Sequence, residues 1–254
     1  MPVKIHGSKA SQKVMSGLKF GRGNAKLADH IHTFSLPSGH TCPGACQCLA
    51  KAKMVDGRPT LVDGPSQVFR CFSASEEVSF KSVRLSRQAN LEKLKACKGV
   101  EAMTKLILDS LNVFAQVVRI HVGGDFYSQT YFDAWAQVAK QRPDTEFYAY
   151  TKSIPFWRNW LNRHGELPSN MMLTASLGGK FDDLILPSMI TARVVTHPDE
   201  ALALDLEIDH DDSHAQENEK DFALLIHGHG RPGSAHSLAT RRLRQEAIPY
   251  SYSK

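Results

Sequence analysis

The sequence predicts an α/β protein in which a parallel sheet forms part of a (β/α) barrel and carries a cysteine-rich metal-binding loop. Three observations lead to this fold class. Short β-branched or aromatic segments alternate with helical segments over about 150 residues, which is typical of layered α/β folds. Three of the five cysteines lie within seven residues. The 254 residues, of which 42% are hydrophobic, suffice for one domain, 1–254, with a sizeable core.

The first part of the chain contains few periodic segments. Residues 1–38 are basic and glycine-rich, and we interpret them as an N-terminal arm with one short strand at 33–36. Residues 39–72 form a cysteine-rich insertion, in which the polar stretch 51–67 is predicted to make turns because it contains Asp-Gly and Gly-Pro pairs. A helix from Ser73 or Ser75 to Cys97 follows, and a second helix covers 100–114.

The middle of the chain contains the clearest β-α-β unit. Residues 117–122 are β-branched and end at two glycines, whereas 128–141 carry bulky apolar residues at helical spacing. Residues 146–151 form the next strand. Units of this kind build parallel sheets with right-handed crossovers.

The same alternation continues to the C-terminus. Segments rich in β-branched or apolar residues predict four further strands, at 171–176, 192–196, 206–209 and 222–226. Helices are predicted at 156–163, from His197 onward and at 233–244.

Charge and hydropathy exclude several classes of protein. The net charge of +5 is mild, and no apolar run is long enough to cross a membrane. The N-terminal residues lack the apolar core of a secretory signal, so we expect a cytoplasmic protein. There is no Walker-type phosphate loop, nucleophile elbow or HExxH motif, so ATP hydrolysis, serine hydrolysis and metalloprotease action have no support.

The cysteines are the most informative residues. Cys42, Cys46 and Cys48 form a compact triplet, and Cys71 stands alone further along the chain. Thiolates suit zinc, Cu(I) and iron–sulfur clusters, and structural zinc sites usually have two paired knuckles. A triplet with one remote cysteine favours a [4Fe–4S] cluster on these four residues. Structural zinc and metal-free thiols remain alternatives, whereas Cys97 is expected to be a small buried apolar residue.

A second group of candidates follows the strands of the β-α-β unit. Gly123 and Gly124 would allow a ligand to approach the backbone closely, and Asp125 would act in catalysis at the strand end. The alternative is a tight turn in which Asp125 caps the next helix. Tyr150 and Lys152 alternate on the following strand and, with Asp125, are the candidate catalytic residues of one pocket. Lys152 would bind a phosphate or carboxylate there, or else lie in solvent.

Two charged segments near the C-terminus are ambiguous. Glu207, Asp209, Asp211 and His214 could hold a second metal ion, or they form a solvated acidic turn. The basic run at 241–244, with lysines of the N-terminal arm, could contact the phosphates of a nucleic acid.

Several motifs, taken together and in order, resemble the phage gene product 88 family. They are Asn24-Ala25-Lys26-Leu27, Ser35-Leu36-Pro37-Ser38-Gly39-His40-Thr41-Cys42-Pro43, Arg70-Cys71-Phe72-Ser73-Ala74-Ser75, Arg119-Ile120-His121-Val122-Gly123-Gly124-Asp125-Phe126, Tyr148-Ala149-Tyr150-Thr151-Lys152-Ser153 and the block 206–214. The resemblance covers about residues 22–240 and implies a phage protein of the host cytoplasm. The family has no assigned activity, so the resemblance supports the cysteine ligands and does not supply a reaction.

A broader resemblance is to radical-SAM barrels. These combine a loop of three cysteines with a Gly-Gly-Glu signature at the end of the next strand, which Gly123, Gly124 and Asp125 would replace. The resemblance implies a redox or radical enzyme that uses S-adenosylmethionine and a small-molecule substrate. The loop here has one residue between its second and third cysteines, and a fourth ligand at Cys71 would leave no iron for S-adenosylmethionine. A nucleic-acid-binding module with a purely structural cluster, or a structural zinc protein, is the alternative.

Overall fold

The structure is a computed structural model that describes residues 17–23 and 27–248. These residues form ten strands, eight α-helices and one 3₁₀ helix. The strands are β1 (Gly21–Arg22), β2 (Ile31–Ser35), β3 (Ala50–Val55), β4 (Arg58–Asp63), β5 (Val117–Gly123), β6 (Glu146–Thr151), β7 (Met171–Ser176), β8 (Thr191–Val195), β9 (Glu207–Ile208) and β10 (Phe222–Leu225). The α-helices are α1 (Phe72–Ser79), α2 (Lys81–Ala96), α3 (Gly99–Ser110), α4 (Gln129–Gln141), α5 (Ile154–His164), α6 (Pro198–Ala203), α7 (Ser213–Glu217) and α8 (Ala235–Gln245), and the 3₁₀ helix is Asp182–Leu184.

Eight strands form the central sheet in the order β1-β2-β5-β6-β7-β8-β10-β9. β1 is antiparallel to β2, and every other neighbouring pair is parallel. From β2 to β8 the strands of this sheet stand side by side in chain order. The order then reverses, because β10 inserts between β8 and β9 and pairs in parallel with both. The predicted α/β class with a mostly parallel sheet is confirmed. The sheet is open, with β1 and β9 as its edges, and it does not close into a barrel.

The two faces of the sheet are buried by different elements. On β6, Phe147 and Ala149 pack into the main core with residues of α2 to α5, and we call this side the helical face. Tyr148 and Tyr150 point to the opposite side, which we call the cavity face, where Ala215 of α7 and Phe222 pack. The side chains alternate between the two faces because a strand has a period of two residues. Both faces are buried, so the sequences of these strands are continuous apolar runs.

The segment predicted to be an arm supplies part of the central sheet. Residues 1–16 and 24–26 lie outside the described residues. Within 27–38, β2 pairs in parallel with β5, and Ile31, Phe34 and Leu36 are buried. β2 is short and contains polar residues, so its apolar pattern predicted only an isolated strand.

The stretch predicted to be turns contains a β-hairpin. β3 and β4 pair antiparallel around Asp56 and Gly57, whose φ values are 48° and 74°. Positive φ at both central residues is the geometry of a two-residue type I′ hairpin, for which Asp-Gly is a preferred pair. β4 and most of β3 are exposed or half-buried, so the hairpin lacks the apolar alternation that would have revealed its strands.

The helix predicted from Ser73 to Cys97 is two helices, α1 and α2, separated at Phe80. Phe80 has an extended backbone, with φ −119° and ψ 107°. The break lets Arg87 return to Glu76 and Glu77, at 2.8 and 2.9 Å. In one straight helix a separation of ten residues is about 15 Å along the axis, so these ion pairs require the break.

No helix among the described residues combines the length and the apolar character that a membrane crossing needs.

Candidate functional site

A cavity of about 190 Å³ lies where the parallel strands end. Five neighbouring strands contribute residues at or next to their carboxyl ends: Gly123, Thr151, Ser176, Val194 and Ile226. The remaining walls come from the cysteine loop after β2 and from the segment that precedes α1. Ligand sites of parallel α/β folds lie at this end of the strands.

Three of the predicted cysteine ligands line this cavity. They are Cys42 and Cys48 from the loop after β2 and Cys71 from the start of α1. Cys46 is not among the lining residues, although it lies half-buried in the same loop. Cys97 follows the last residue of α2 and packs half-buried against the main core, so it is less buried than the sequence suggested. Its Sγ donates to the carbonyl of Lys93 at 3.4 Å.

The cysteine loop is held against the ends of β6 and β7 by its glycines. A Cβ on Gly44 would stand 2.0 Å from the carbonyl oxygen of Lys152, so only glycine permits this approach. The neighbouring Ala45 forms an antiparallel bridge with Gly179. At the start of the loop, Gly39 has φ +69°, and its N–H donates to Cys42 Sγ at 3.2 Å. The loop backbone therefore fixes the position of the Cys42 thiol.

Cys71 lies at the N-terminus of α1, as its N-cap residue. The N–H groups of Ser73 and Ala74 favour its thiolate, but burial outweighs them and raises the pKa of Cys71 above its usual value.

The other two lining thiols are also protonated at neutral pH. Burial raises the pKa of Cys48 to about 11, and burial together with the nearby Asp125 and Cys71 raises that of Cys42 well above its ordinary value. Each thiol of the three has another member of the set within electrostatic reach. A cation bound among them would reverse this balance, because metal ions bind the thiolate and release the proton.

The structure contains no compact site for a single ion in the part of the chain that it describes. No group of three or more His, Cys, Asp or Glu side chains there has the spacing needed to hold one metal ion. The metal-binding loop therefore stays a prediction. The four sulfurs around one zinc ion stand about 3.8 Å apart, from a Zn–S bond of about 2.3 Å and tetrahedral geometry. A cubane cluster is larger than one ion and keeps its thiolates further apart.

Asp125 ties the end of β5 to the end of β6 at the edge of the cavity. Its Oδ1 accepts from Thr151 Oγ1 at 2.6 Å and from the Phe126 N–H at 2.7 Å, and its Oδ2 accepts from the Lys152 N–H at 2.9 Å. Burial raises its pKa to about 6 despite these donors. Asp125 does not cap the next helix, since Ser128 accepts from the Tyr131 N–H at the N-terminus of α4.

Gly123 and Gly124 line the cavity, and protein groups also approach them closely. A Cβ on Gly123 would stand 2.1 Å from Ser73 Oγ, and one on Gly124 would stand 2.7 Å from Thr41 Oγ1. Gly124 also has φ +89°, which side chains rarely adopt. The two glycines therefore let the cysteine loop and α1 approach the end of β5.

A bulge in β5 sets the direction of the residues before these glycines. The register with β2 shifts between Thr33 and Ser35, and His121 has φ 69°. The His121 ring packs against Phe34 and Phe126 on the helical face. Its Nε2 lies 2.9 Å from the Tyr131 hydroxyl, and burial lowers its pKa to about 3. His121 is a neutral core residue, although it also borders the cavity.

The ammonium of Lys152 is fully used by protein oxygens. Its Nζ donates to Ser176 O at 2.7 Å, to Ser176 Oγ at 2.9 Å and to Leu177 O at 2.5 Å. An ammonium has three protons, so these contacts satisfy all of them. Lys152 therefore joins the ends of β6 and β7, and neither the predicted anion contact nor solvent exposure describes it.

Tyr150 belongs to a buried network that sequence reasoning did not assemble. Its hydroxyl lies 3.2 Å from Asp212 Oδ1 and 3.3 Å from Asp209 Oδ2. Asp212 also forms an ion pair with Arg119 at 2.5 Å and accepts from the Tyr148 hydroxyl at 3.2 Å. Burial, followed by Asp212, raises the pKa of Tyr150 well above its ordinary value, so the phenol keeps its proton.

The acidic block is split between this network and the surface. Asp209 and Asp212 are completely buried, which differs from a solvated turn. Glu207 is exposed and pairs with His214 at 3.0 Å and Lys220 at 2.7 Å. Among the residues that the structure describes, the block forms no second metal site. Its alternating acidic pattern carried no signal for burial, because the tyrosines and the arginine that donate hydrogen bonds to its carboxylates lie on strands distant in the chain.

The basic run of α8 is exposed on one side only. Arg241, Arg242 and Arg244 are exposed, and Arg242 donates to Glu246 at 2.7 Å. Leu243 between them is fully buried. Of the arm residues that would extend this surface, Lys4, Lys9 and Lys13 lie outside the described residues, whereas Lys19 and Arg22 are exposed. Contact with a nucleic acid stays a prediction.

Comparison with known proteins gives one family. The family model described as Gene product 88 matches residues 16–246. The chain is 26% identical over 152 residues to the Gene 88 proteins of Mycobacterium phages L5 and D29, an alignment that covers 56% of this chain. It covers 56% and 55% of those proteins, so the chain spans about half the length of the curated relatives it matches. No solved structure matches it. The match over nearly the whole chain shows that this protein belongs to the gene product 88 family of phage proteins.

Proposed function

We propose that this protein binds one [4Fe–4S] cluster through Cys42, Cys48 and Cys71 and uses it for redox or radical chemistry on a small molecule. The observation that carries the proposal is the convergence of three thiols on one cavity from two separate segments of the chain. Soft thiolates in a loop at the edge of a parallel sheet suit an iron–sulfur cluster. This ligand set differs from the four cysteines expected from the sequence, because Cys46 does not line the cavity.

A three-thiolate site supports the enzymatic alternative over the purely structural one. When bound, such a cluster supplies electrons at low potential, and an iron without a protein ligand can bind S-adenosylmethionine. The cysteine loop after β2 and the Gly-Gly-Asp motif at the end of the adjacent strand β5 support a comparison with radical-SAM proteins. The family relationship adds no reaction to this argument.

The protein groups beside the thiols have separate roles in this proposal. Asp125 presents a buried carboxylate whose position is fixed by three donors and whose pKa of about 6 lets it hold or release a proton near neutral pH. Tyr150 supplies a neutral phenol at the cavity wall, and Lys152 holds the strand ends in place. Val194, Ile226 and Phe72 make the opposite wall apolar, which suits a small molecule and excludes bulk water.

A cavity of about 190 Å³ suits a small molecule, and we propose a small molecule as the substrate. We place the protein in the host cytoplasm, where thiols stay reduced and available to a cluster.

Anaerobic reconstitution with ferrous iron and sulfide tests the proposal. We expect the wild-type protein to acquire iron and acid-labile sulfide in equal amounts, with an absorbance shoulder near roughly 400 nm. Cys42→Ser, Cys48→Ser and Cys71→Ser should each lose most of the cluster. Zinc in place of iron, or iron without sulfide, would contradict the proposal.

Two matched variants separate three-thiolate from four-thiolate ligation. Cys46→Ser and Cys97→Ser should both retain the cluster, and Cys97→Ser controls for the loss of any thiol. If Cys46→Ser loses the cluster as Cys42→Ser does, the site has four thiolates. Reduced-state EPR then tests the open iron: addition of S-adenosylmethionine should change the spectrum of the wild-type protein, and an unchanged spectrum excludes the radical reaction.

A further inference from the structure

The C-terminal helix reaches the cysteine site through one buried histidine, His236. The side chain lies in the first turn of α8 and is 1% exposed. It is 165 residues from Cys71 in the chain, yet it contacts the residue immediately before that cysteine.

One ring nitrogen of His236 accepts a hydrogen bond from a backbone N–H, and the other donates one to a backbone carbonyl. The Arg70 N–H donates to Nδ1 at 3.1 Å, and Nε2 donates to the His227 carbonyl at 3.0 Å. An imidazole can accept at one nitrogen and donate at the other only when it is neutral, so these partners select one tautomer. Burial lowers the pKa of His236, which maintains that neutral form.

The two partners come from different segments that line the cavity. Arg70 and His227 both line the cavity, one beside Cys71 and the other beyond the carboxyl end of β10. A second restraint acts on Arg70 from the hairpin: its guanidinium binds Asp63 through Nε at 2.8 Å and Nη2 at 2.7 Å. The backbone of Arg70 is therefore bound by α8, and the side chain of Arg70 is bound by β4.

We propose that His236 is a positioning residue that fixes the Cys71 segment against the end of β10. The proposal rests on the function proposed above in so far as Cys71 serves as a cluster ligand. His236 does not contact the thiol. It acts through the Arg70 backbone, and its loss removes the hydrogen-bond partner of the Arg70 N–H and of the His227 carbonyl. The expected result is a Cys71 thiol that is less well placed and more accessible.

Cluster retention provides the first test. We compare the wild-type protein, His236→Phe and His236→Gln after anaerobic reconstitution, and follow loss of the roughly 400 nm absorbance in the presence of an iron chelator. His236→Phe keeps the ring size without either hydrogen bond, and we expect the cluster to be lost about tenfold faster. His236→Gln offers one acceptor and one donor, and we expect it to restore most of the retention. Equal rates for all three proteins would overturn the proposal.

Two controls separate positioning from general loosening. Ser234→Ala removes the N-cap of α8, where Ser234 Oγ accepts from the Ser237 N–H at 3.2 Å, without affecting Arg70. Its cluster should be retained as in the wild-type protein. If Ser234→Ala loses the cluster as fast as His236→Phe, stability of α8 explains the effect and the proposal fails.

Alkylation of the cluster-free protein makes the test independent of the proposed function. The rate at which iodoacetamide modifies Cys71, measured by peptide mass spectrometry, should rise about tenfold in His236→Phe, while that of Cys97 stays constant. An equal rise at both cysteines would indicate general unfolding and contradict positioning, as would an unchanged Cys71 rate. If the wild-type protein takes up no iron and sulfide, the proposed cluster fails, and this measurement still decides the role of His236.

Discussion

Glu77 beneath the cysteine loop provides the sharpest test of how this site is held together. The carboxylate is 2% exposed, and its Oε1 accepts from Arg87 Nη1 at 2.9 Å and from the Ser38 N–H at 2.8 Å. Arg87 Nη1 also donates to the Ser73 carbonyl at 2.8 Å. One buried ion pair therefore joins the start of the cysteine loop, α1 and α2.

Substitution Glu77→Gln keeps the shape of the side chain and removes its charge. Loss of one partner of a buried ion pair costs about 3 to 5 kcal/mol, because the other charge remains buried without compensation. Arg87 keeps Glu76 at 2.8 Å, so we expect the lower end, about 3 kcal/mol. For a protein of this size about 1 kcal/mol corresponds to about 2 to 4 °C in the melting temperature. The expected decrease is therefore about 6 to 12 °C.

The exposed pair Lys105–Asp109 is the matched control. Its atoms are also 2.8 Å apart, but the side chains are 76% and 59% exposed. Pairs of this kind contribute about 0.3 to 0.5 kcal/mol, so Lys105→Ala should change the melting temperature by less than about 2 °C. The two pairs differ in burial and in what they connect, because Lys105 and Asp109 lie one turn apart in α3 and join no separate segments.

Differential scanning calorimetry of the cluster-free protein measures both variants. The double variant Glu77→Leu/Arg87→Met should recover much of the lost stability, because neither charge is then buried. If Glu77→Gln and Lys105→Ala melt within about 2 °C of each other, the ion pair does not hold the loop and the reasoning is wrong.

Two further predictions concern the surroundings of the cavity. Gly123→Ala should destabilise the protein more than Gly165→Ala and reduce cluster uptake, because its Cβ would stand 2.1 Å from Ser73 Oγ. At Gly165 the only cost is a left-handed backbone, about 1 to 2 kcal/mol. Equal melting temperatures of the two variants would contradict this prediction. Asp63→Asn should destabilise the cluster-free protein at pH 7, as measured by urea unfolding, because hydrogen bonds from Arg70 lower the pKa of Asp63. A lowered pKa in the folded state means that the stabilisation is complete above the ordinary value of 3.8 and disappears as the pH falls through the lowered one. The difference between Asp63→Asn and the wild-type protein should therefore shrink below about pH 3.8, and a constant difference would refute the assignment.

From β5 onward the order of the strands could be predicted because each strand of the central sheet carries its own signal. β5, β6 and β7 are buried on both faces, so their β-branched and apolar runs are visible in the sequence. The cysteine loop was equally visible, since three cysteines in seven residues stand out in any fold. The β3–β4 hairpin was not, because exposed strands need no apolar alternation.

The site depends on contacts between residues that are distant in the chain. Spacing alone assigned Cys46 to the same ligand set as Cys42 and Cys48, and of these three cysteines only Cys42 and Cys48 line the cavity. The alternating acidic block predicted a metal site or a solvated turn. In the structure Asp212 of this block is buried instead, because it forms an ion pair with Arg119 of β5.

Local pattern, then, determined the class of fold, the succession of strands and helices and the presence of a thiol-rich loop, because burial and backbone preference act on neighbouring residues. Only the tertiary structure decided which thiols share a cavity, which carboxylates are buried and that His236 of the last helix supports the Cys71 segment. Hydrogen bonds and ion pairs between distant segments leave no periodicity in the sequence, so their partners become known only when the chain is folded.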